Sequence, residues 1–309
     1  LPPELEGYDR ELVERIIADI IDSGHPVRFE DISGLEFAKK CVTELICWPM
    51  TRPDLFKGLR ALPRGLLLFG PPGTGKTLIG KAIAHQSGAT FFSISASSLM
   101  SKWIGEGEKT VRTLFAVAAY RQPAVVFIDE VDSLLCQRSS EENEATRRIK
   151  TEFMVQLDGA GTSQTARVVI VGATNRPEEL DEAVRRRFVK RLYIPLPDPE
   201  SRRQLLRMLL GEVVHALQGG DIEDMVAKTE GYSGADIRSL CQEAAMGPVR
   251  EAALSSSGDL HSIDAHSMPA VSLQHFTEAL ETVLPSVSNK DLHRYIEWNN
   301  EFGSFRRMS

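Results

Sequence analysis

Cysteine is scarce in this chain. Only Cys41, Cys47, Cys136 and Cys241 occur, and no two of them form a C-x-x-C pair. That excludes a zinc ribbon and a disulfide framework, and reads as free thiols in a reducing compartment. Long apolar runs are missing as well. None approaches the roughly 18 residues that cross a bilayer, so no membrane span is expected. No charged-then-apolar leader stands at the start. The chain opens at Leu1 rather than Met, which reads as a fragment whose targeting segment, if any, lies elsewhere. Positive charge is in deficit: Lys plus Arg number 36 against 43 Asp plus Glu, for a net charge of −7. Such a chain is poorly suited to wrapping nucleic acid through bulk charge, although a local basic lining remains compatible with it. Internal repeats and low-complexity tracts are absent too.

What remains is ordinary globular material. The 309 residues, 42% hydrophobic and 26% charged, suffice for a sizeable core and exclude disorder over the whole length. At roughly 150 residues per domain this length suggests two domains. Leu12, Val13, Ile16, Ile17, Ile20 and Ile21 recur at helical spacing between Asp9 and Asp22, and Gly24 and Pro26 end that helix. A second helix is expected over about 35–47, stopped by Pro49 and Pro53. The grammar then changes. Short continuous apolar runs at 65–69, 90–94, 124–128 and 168–171 alternate with helical stretches. Buried strands alternating with helices define an α/β fold with a parallel sheet sandwiched by helices. After Pro199 only helical patterns follow, at 201–210, 221–228, 233–246 and 272–283, with Asp221 and Ser233 expected as N-caps. The stretch 255–270 reads as a loop, and 289–302 as a last helix. The expected organisation is an N-terminal helix and linker (1–34), an α/β nucleotide-binding domain (35–197), a small all-helical lid (198–288) and a C-terminal helix (289–309).

Gly70-Pro71-Pro72-Gly73-Thr74-Gly75-Lys76-Thr77 fits G-x-x-x-x-G-K-[ST] between a buried strand and a helix that opens at Leu78. Glycines let backbone N–H groups turn inward on phosphates, and the helix N-terminus adds a favourable dipole. Lys76 is expected on the β- and γ-phosphates and Thr77 on Mg²⁺. The apolar run 124–128 ends in Asp129-Glu130. Asp129 suits the Mg²⁺ shell, and Glu130 suits the orientation or deprotonation of an attacking water. Together they predict hydrolysis of ATP to ADP as well as binding. The run 168–171 leads into Asn175, which at a strand end can bond the γ-phosphate or the water. Arg185, Arg186 and Arg187 follow. They read either as a solvated basic patch or as arginine fingers acting in trans, which require an oligomer.

Together these motifs resemble an AAA ATPase. Two stretches resemble the branch that holds katanin, spastin and fidgetin: 101–109 (Ser-Lys-Trp-Ile-Gly-Glu-Gly-Glu-Lys) and the ending with Pro285, Asp291, Tyr295, Trp298-Asn299 and Phe302-Gly303. Residues 48–54, 58–60, 77–81 and 189–195 are most similar to the fidgetin-like group. The resemblance implies an ATP-driven homohexamer. It implies adenine contacts at Asp31, Ile32 and Gly34 and at Gly234 and Ala235. It makes Asn175 a sensor and Arg186 and Arg187 the fingers offered to a neighbouring subunit. It places the first pore loop at Lys102, Trp103 and Ile104, and a second at 138–150 with Arg147 and Arg148 facing the channel. Where relatives carry a histidine in that second loop, this chain has Asn143.

Trp103 and Ile104 suit a clamp that grips a threaded polypeptide without reading its sequence, since large apolar side chains on an exposed loop mark a binding surface. Lys102, Arg147 and Arg148 would make the channel basic and favour acidic protein tails. The resemblance implies two protein substrates, microtubules through tubulin tails or RecA-type recombinase filaments in DNA repair, and a nuclear and cytoplasmic location. Two other readings compete. A nucleotide-gated scaffold is disfavoured by Glu130, and a nucleic-acid motor by the net charge, although tryptophan can stack on bases.

Overall fold

A computed structural model describes residues 2–21, 24–101, 106–136, 144–159, 167–255 and 268–305. In chain order the first helices are α1 (Arg10–Asp19), α2 (Glu36–Val42), α3 (Trp48–Thr51) and α4 (Lys76–Gln86). They are followed by α5 (Ala96–Ser101), α6 (Gly107–Tyr120), α7 (Val131–Leu135), α8 (Glu144–Asp158) and α9 (Glu182–Arg187). The later helices are α10 (Pro199–Leu210), α11 (Gly219–Lys228), α12 (Gly234–Ala245), α13 (Gly247–Ser255), α14 (Leu273–Thr282) and α15 (Asn289–Phe302). The strands are β1 (Gly65–Phe69), β2 (Thr90–Ser95), β3 (Ala124–Asp129), β4 (Val168–Thr174) and β5 (Lys190–Tyr193).

The strands form one parallel sheet in the order β2-β3-β4-β1-β5. Period-two alternation splits each strand between two cores. Leu67, Phe69, Val126 and Ile128 face one layer, with Val13, Ile16, Phe115, Phe153 and Trp298. Leu66, Leu68, Val125 and Phe127 face the other, with Val42, Ile46, Met50, Ile79 and Ile83. This two-faced burial explains why the strands read as unbroken apolar runs. A third core is built mainly by α10, α11, α12 and α14 around Leu206, Ile237, Leu240 and Phe276, with Leu217, Tyr232 and Val271 joining from loops. The N-terminal helix belongs to the first layer: Leu12, Val13, Ile16 and Ile20 are buried there, and Ser93 N–H donates to the Ile20 carbonyl at 2.9 Å on the sheet edge.

The structure corrects three expectations. The helix expected to stop before Pro49 continues to Thr51. Residues Thr43–Cys47 form a π-turn, and Trp48 N–H bonds the Thr43 carbonyl, five residues back. The wider turn relieves the clash that a proline makes with a regular helix. Asp221 is not an N-cap; Gln218 is, and the Asp221 carboxylate accepts its backbone N–H at 2.8 Å as the third helical residue. β5 was not expected. It pairs with β1 from Leu66 to Phe69, although only Leu192 of its four residues is fully buried. Ser233 does cap α12, reciprocally with Asp236. The loop expected at 255–270 falls mostly outside the described residues, and α13 reaches its first position.

Candidate functional site

The carboxyl edge of the sheet collects residues from distant parts of the chain. β1 ends at Phe69, and the loop 70–75 folds back before α4 begins at Lys76. Gly70 has φ +146°, and a Cβ there would overlap the Ile194 carbonyl on the extension of β5. Gly73 has φ +72°, and a Cβ there would stand 2.7 Å from Ala235 Cβ and 2.8 Å from Ser233 Oγ. Both positions therefore require glycine. Gly75 is left-handed too, at φ +91°, and turns the chain into α4. Pro71 is buried and Pro72 exposed, and Thr74 Oγ1 donates to the Pro71 carbonyl at 2.9 Å, closing the loop. Leu78, one turn into α4, is exposed.

Lys76 is buried, and its Nζ donates to the carbonyls of Gly70 at 3.0 Å and Pro71 at 2.6 Å. Burial pushes the ammonium down to about 8, with Asp129 and Asp132 pulling the other way. A third, longer bond goes to Thr74 Oγ1 at 3.5 Å, so the buried cation has only neutral oxygen partners and is primed for an anion. Thr77 Oγ1 lies 3.4 Å from Asp129 Oδ2 at the end of β3. Glu130 follows at φ +50°, an exposed residue in the left-handed region. Its backbone N–H donates to Asp129 Oδ1 at 2.9 Å. Asp129 therefore presents its two oxygens in different directions. Among the described residues no three His, Cys, Asp or Glu gather as a metal cage. The Thr77 hydroxyl and the Asp129 carboxylate are oxygen donors of the kind a hard cation such as Mg²⁺ takes beside water and substrate oxygens.

Asn175 follows directly on β4. Its Oδ1 is buried without a hydrogen-bond partner, while its main-chain carbonyl accepts the Tyr295 hydroxyl at 2.5 Å. Thr174, just before it, donates from Oγ1 to Asp132 at 2.5 Å and accepts the Arg176 N–H at 2.9 Å. Sequence reasoning gave no site role to Asp132, Thr174 or Tyr295, the last of which entered only through the resemblance. The first two were signalled by adjacency to Asp129 and Asn175; Tyr295 had no local signal.

Of the expected adenine contacts, Gly234 and Ala235 meet this loop, and Gly34 meets α10. Gly34 N–H donates to Gln204 Oε1 of α10 at 3.3 Å. Ala235 N–H donates to the Gly73 carbonyl at 3.2 Å, and Gly234 sits beside the same oxygen. Ile32 is buried in the second core, and Asp31 accepts the Arg28 N–H at 2.8 Å. The helical unit thus rests directly on the glycine loop.

The remaining calls spread outward. Arg187 makes a two-pronged ion pair with Asp158, at 2.8 and 2.7 Å, so the fold holds it to the end of α8. Arg186 is exposed and, among the described residues, pairs with Glu182 one helical turn away. Arg148 pairs with Glu144 at 2.6 Å on the exposed first turn of α8. Arg147 lines a cavity of about 300 Å³ with Lys150, Met154, Val184 and Arg187. Lys102, Trp103, Ile104 and Asn143 lie outside the described residues.

A parallel α/β sheet with a glycine-rich phosphate loop, an Asp-Glu strand end and a helical lid seated on the loop defines a P-loop nucleoside triphosphatase. The comparisons agree. The family described as "ATPase family associated with various cellular activities (AAA)" matches residues 66–196. The AAA+ lid domain matches 220–264, and the Vps4 C terminal oligomerisation domain matches 255–303. The chain is 56% identical over 299 residues to fidgetin-like protein 1 of Homo sapiens, covering 97% of this chain and 44% of that protein. It is 50% identical over 303 residues to the Drosophila melanogaster fidgetin-like protein 1, covering 98% and 57%. The crystal structure of the FIGL-1 AAA domain in complex with ADP superposes with a TM-score of 0.89 at 50% identity, covering 98% of this chain and 100% of that one. A katanin structure described as the basis of its self-assembly gives 0.80 at 37% identity, covering 94% and 97%. The chain belongs to the AAA ATPase family, and its site is that of an ATP hydrolase. It spans about half the length of the curated relatives it matches. None of its four cysteines is in a disulfide, and among the described residues no helix is long and apolar enough to cross a membrane.

Proposed function

We propose that this chain is the motor of a homohexameric protein remodeller, which hydrolyses ATP to draw a polypeptide tail through a central pore. The observation that carries this reading is the meeting of Gly73, Ala235, Thr77, Asp129 and Asn175 at one sheet edge. ATP would lie across the glycine loop with its adenine between the segment 31–34 and the start of α12. Lys76 would exchange its carbonyl partners for phosphate oxygens. Thr77 and Asp129 would hold Mg²⁺, which when bound supplies positive charge against the β- and γ-phosphates. Glu130 would take the proton of the attacking water, and Asn175 would orient that water or bond the γ-phosphate through its unpartnered Oδ1.

Subunits would complete one another. Arg186, released from a surface ion pair worth little, would reach the neighbour's γ-phosphate. Arg187 would join it once Asp158 lets go. The match to an oligomerisation domain over 255–303 supports assembly. Binding that depends on a neighbour's phosphate would shift the pore loops with each turnover. Lys102, Trp103 and Ile104, with Arg147 and Arg148, would grip an acidic protein tail. The similarity to fidgetin-like protein 1 offers tubulin tails, for microtubule severing, and recombinase filaments, for repair, as substrates in the cytoplasm and nucleus.

Steady-state ATPase rates with and without microtubules test this, with Glu130→Gln as the zero. Loss of at least ~100-fold in Glu130→Gln, with ADP binding retained, is expected if the site hydrolyses ATP. Stimulation that vanishes in Trp103→Ala assigns tubulin tails. Basal turnover without stimulation moves the assignment to recombinase filaments. Full turnover in Glu130→Gln would sink the enzymatic reading.

A further inference from the structure

The Tyr295 hydroxyl reaches the site from 120 residues away in sequence, on the C-terminal helix α15. Its partner is the main-chain carbonyl of Asn175, at 2.5 Å. Tyr295 is buried, and so is the other end of Asn175, whose side-chain Oδ1 has no partner. The Tyr295 bond thus holds the Asn175 carbonyl, while among the described residues the side-chain oxygen of Asn175 has no hydrogen-bond partner.

The helix that carries this hydroxyl is firmly seated. The Tyr295 ring stacks on Tyr193 of β5 with centroids 6.3 Å apart. One turn on, Trp298 packs edge-on against Phe69, the last residue of β1, at 4.4 Å. Arg294 pairs with Glu178, three residues after Asn175, at 3.2 Å. The segment 175–178 is thus gripped by α15 at both ends. A bond of this kind in a low-dielectric interior fixes the peptide plane and with it the direction of the side chain.

We propose that Tyr295 is a positioning residue for hydrolysis. Its hydroxyl fixes the Asn175–Arg176 peptide so that the Asn175 amide meets the γ-phosphate or the attacking water. This rests on the role assigned to Asn175 above. It makes the C-terminal helix part of the catalytic apparatus, acting through the backbone rather than by touching nucleotide. The effect should appear in the chemical step and leave nucleotide binding alone, because the glycine loop and the lid carry the binding contacts.

Tyr295→Phe tests the inference, since it keeps the ring and its stacking and removes only the donor. The intact chain is compared with Tyr295→Phe, Asn175→Ala and the double variant for kcat, KM and affinity for a fluorescent ADP analogue. Assembly is followed by sedimentation with ATP in a Glu130→Gln background. In Tyr295→Phe, kcat should fall about tenfold, with KM and ADP affinity within about twofold of the parent. The double variant should be no slower than Asn175→Ala, because a group that acts through Asn175 has nothing left to act on. An unchanged kcat overturns the proposal. So does a loss that adds to that of Asn175→Ala, or one matched by an equal loss of assembly or affinity. The outcome is separable from the reading of the site itself, which fails only if Glu130→Gln still turns over ATP.

Discussion

Thr77 Oγ1 stands 3.4 Å from Asp129 Oδ2, joining the first turn of α4 to the end of β3 across 52 positions of sequence. A hydroxyl and a carboxylate in this relation offer two oxygen ligands on one side of a cation. Asp129→Asn keeps the shape and removes the charge. Turnover with Mg²⁺ should drop at least ~100-fold, while ADP affinity measured in EDTA stays within about twofold. Equal losses of affinity with and without the metal would show that Asp129 shapes the loop instead of serving an ion.

Lys76 gives a pH signature. Burial holds its folded-state pKa at about 8, below the unfolded value of about 10.4. The buried ammonium therefore destabilises the nucleotide-free chain fully below pH 8. That cost fades as pH rises towards the unfolded value. Lys76→Met escapes the cost. Its stability relative to the parent should be greatest near pH 7 and should shrink towards pH 10 in thermal melts without nucleotide. With ADP the trend reverses, since phosphate favours the ammonium, and parental affinity should weaken above pH 8. A difference that is flat with pH in both series contradicts the assignment.

Gly34 touches the lid. It has φ +62°, and a Cβ there would overlap the Ser201 side chain on α10. Gly34→Ala adds backbone strain of about 1–2 kcal/mol and forces α10 away. ADP affinity should fall by at least about fivefold, a typical coupling size between two sites. Ser201→Gly in the same chain should restore part of that affinity but not the strain. Calorimetric titration of the parent and both variants decides it, and no recovery in the double variant would place the defect elsewhere.

Glu152 is a stability residue with an acid limit. It is buried and receives Arg112 through Nε at 3.1 Å and a terminal nitrogen at 3.0 Å, tying α6 to α8. Gln156 Nε2 adds a bond at 2.9 Å. The Arg112 guanidinium holds this carboxyl below the usual glutamate range. A depressed carboxylate stabilises the fold above its unfolded pKa and loses that contribution as pH falls through the folded value. Because Arg112 is half exposed, Glu152→Gln should cost only about 1 kcal/mol at pH 7. The gap should close towards pH 3 in urea titrations; a gap that persists there would mean the effect is one of packing.

The strands that hold the site announce themselves because both faces are covered. Leu66-Leu67-Leu68-Phe69 and Val125-Val126-Phe127-Ile128 have no solvent side, so no polar residue interrupts them. β5 escaped notice for the opposite reason. On the sheet edge, Lys190 and Arg191 are each only half-buried, one on either face, and their charges hide a strand whose register is set by β1. The π-turn before Pro49 was not legible, because a proline reads as a helix stop unless the turn before it widens, as it does here.

The chemistry of the site was written in neighbouring letters. Gly70 to Thr77, Asp129-Glu130 and Asn175 each depend on short-range geometry: a tight turn, a strand end, a helix N-terminus. Those residues alone raise the expectation of phosphate, metal and water at this edge. Which distant groups support them is another matter. Gly73 accepting a bond from Ala235, Arg187 held by Asp158, and Asn175 held by Tyr295 join positions 162, 29 and 120 residues apart. No local propensity encodes such pairs. They exist because the sheet, the lid and the last helix bury apolar faces against one another, and that packing alone brings the partners within hydrogen-bonding distance.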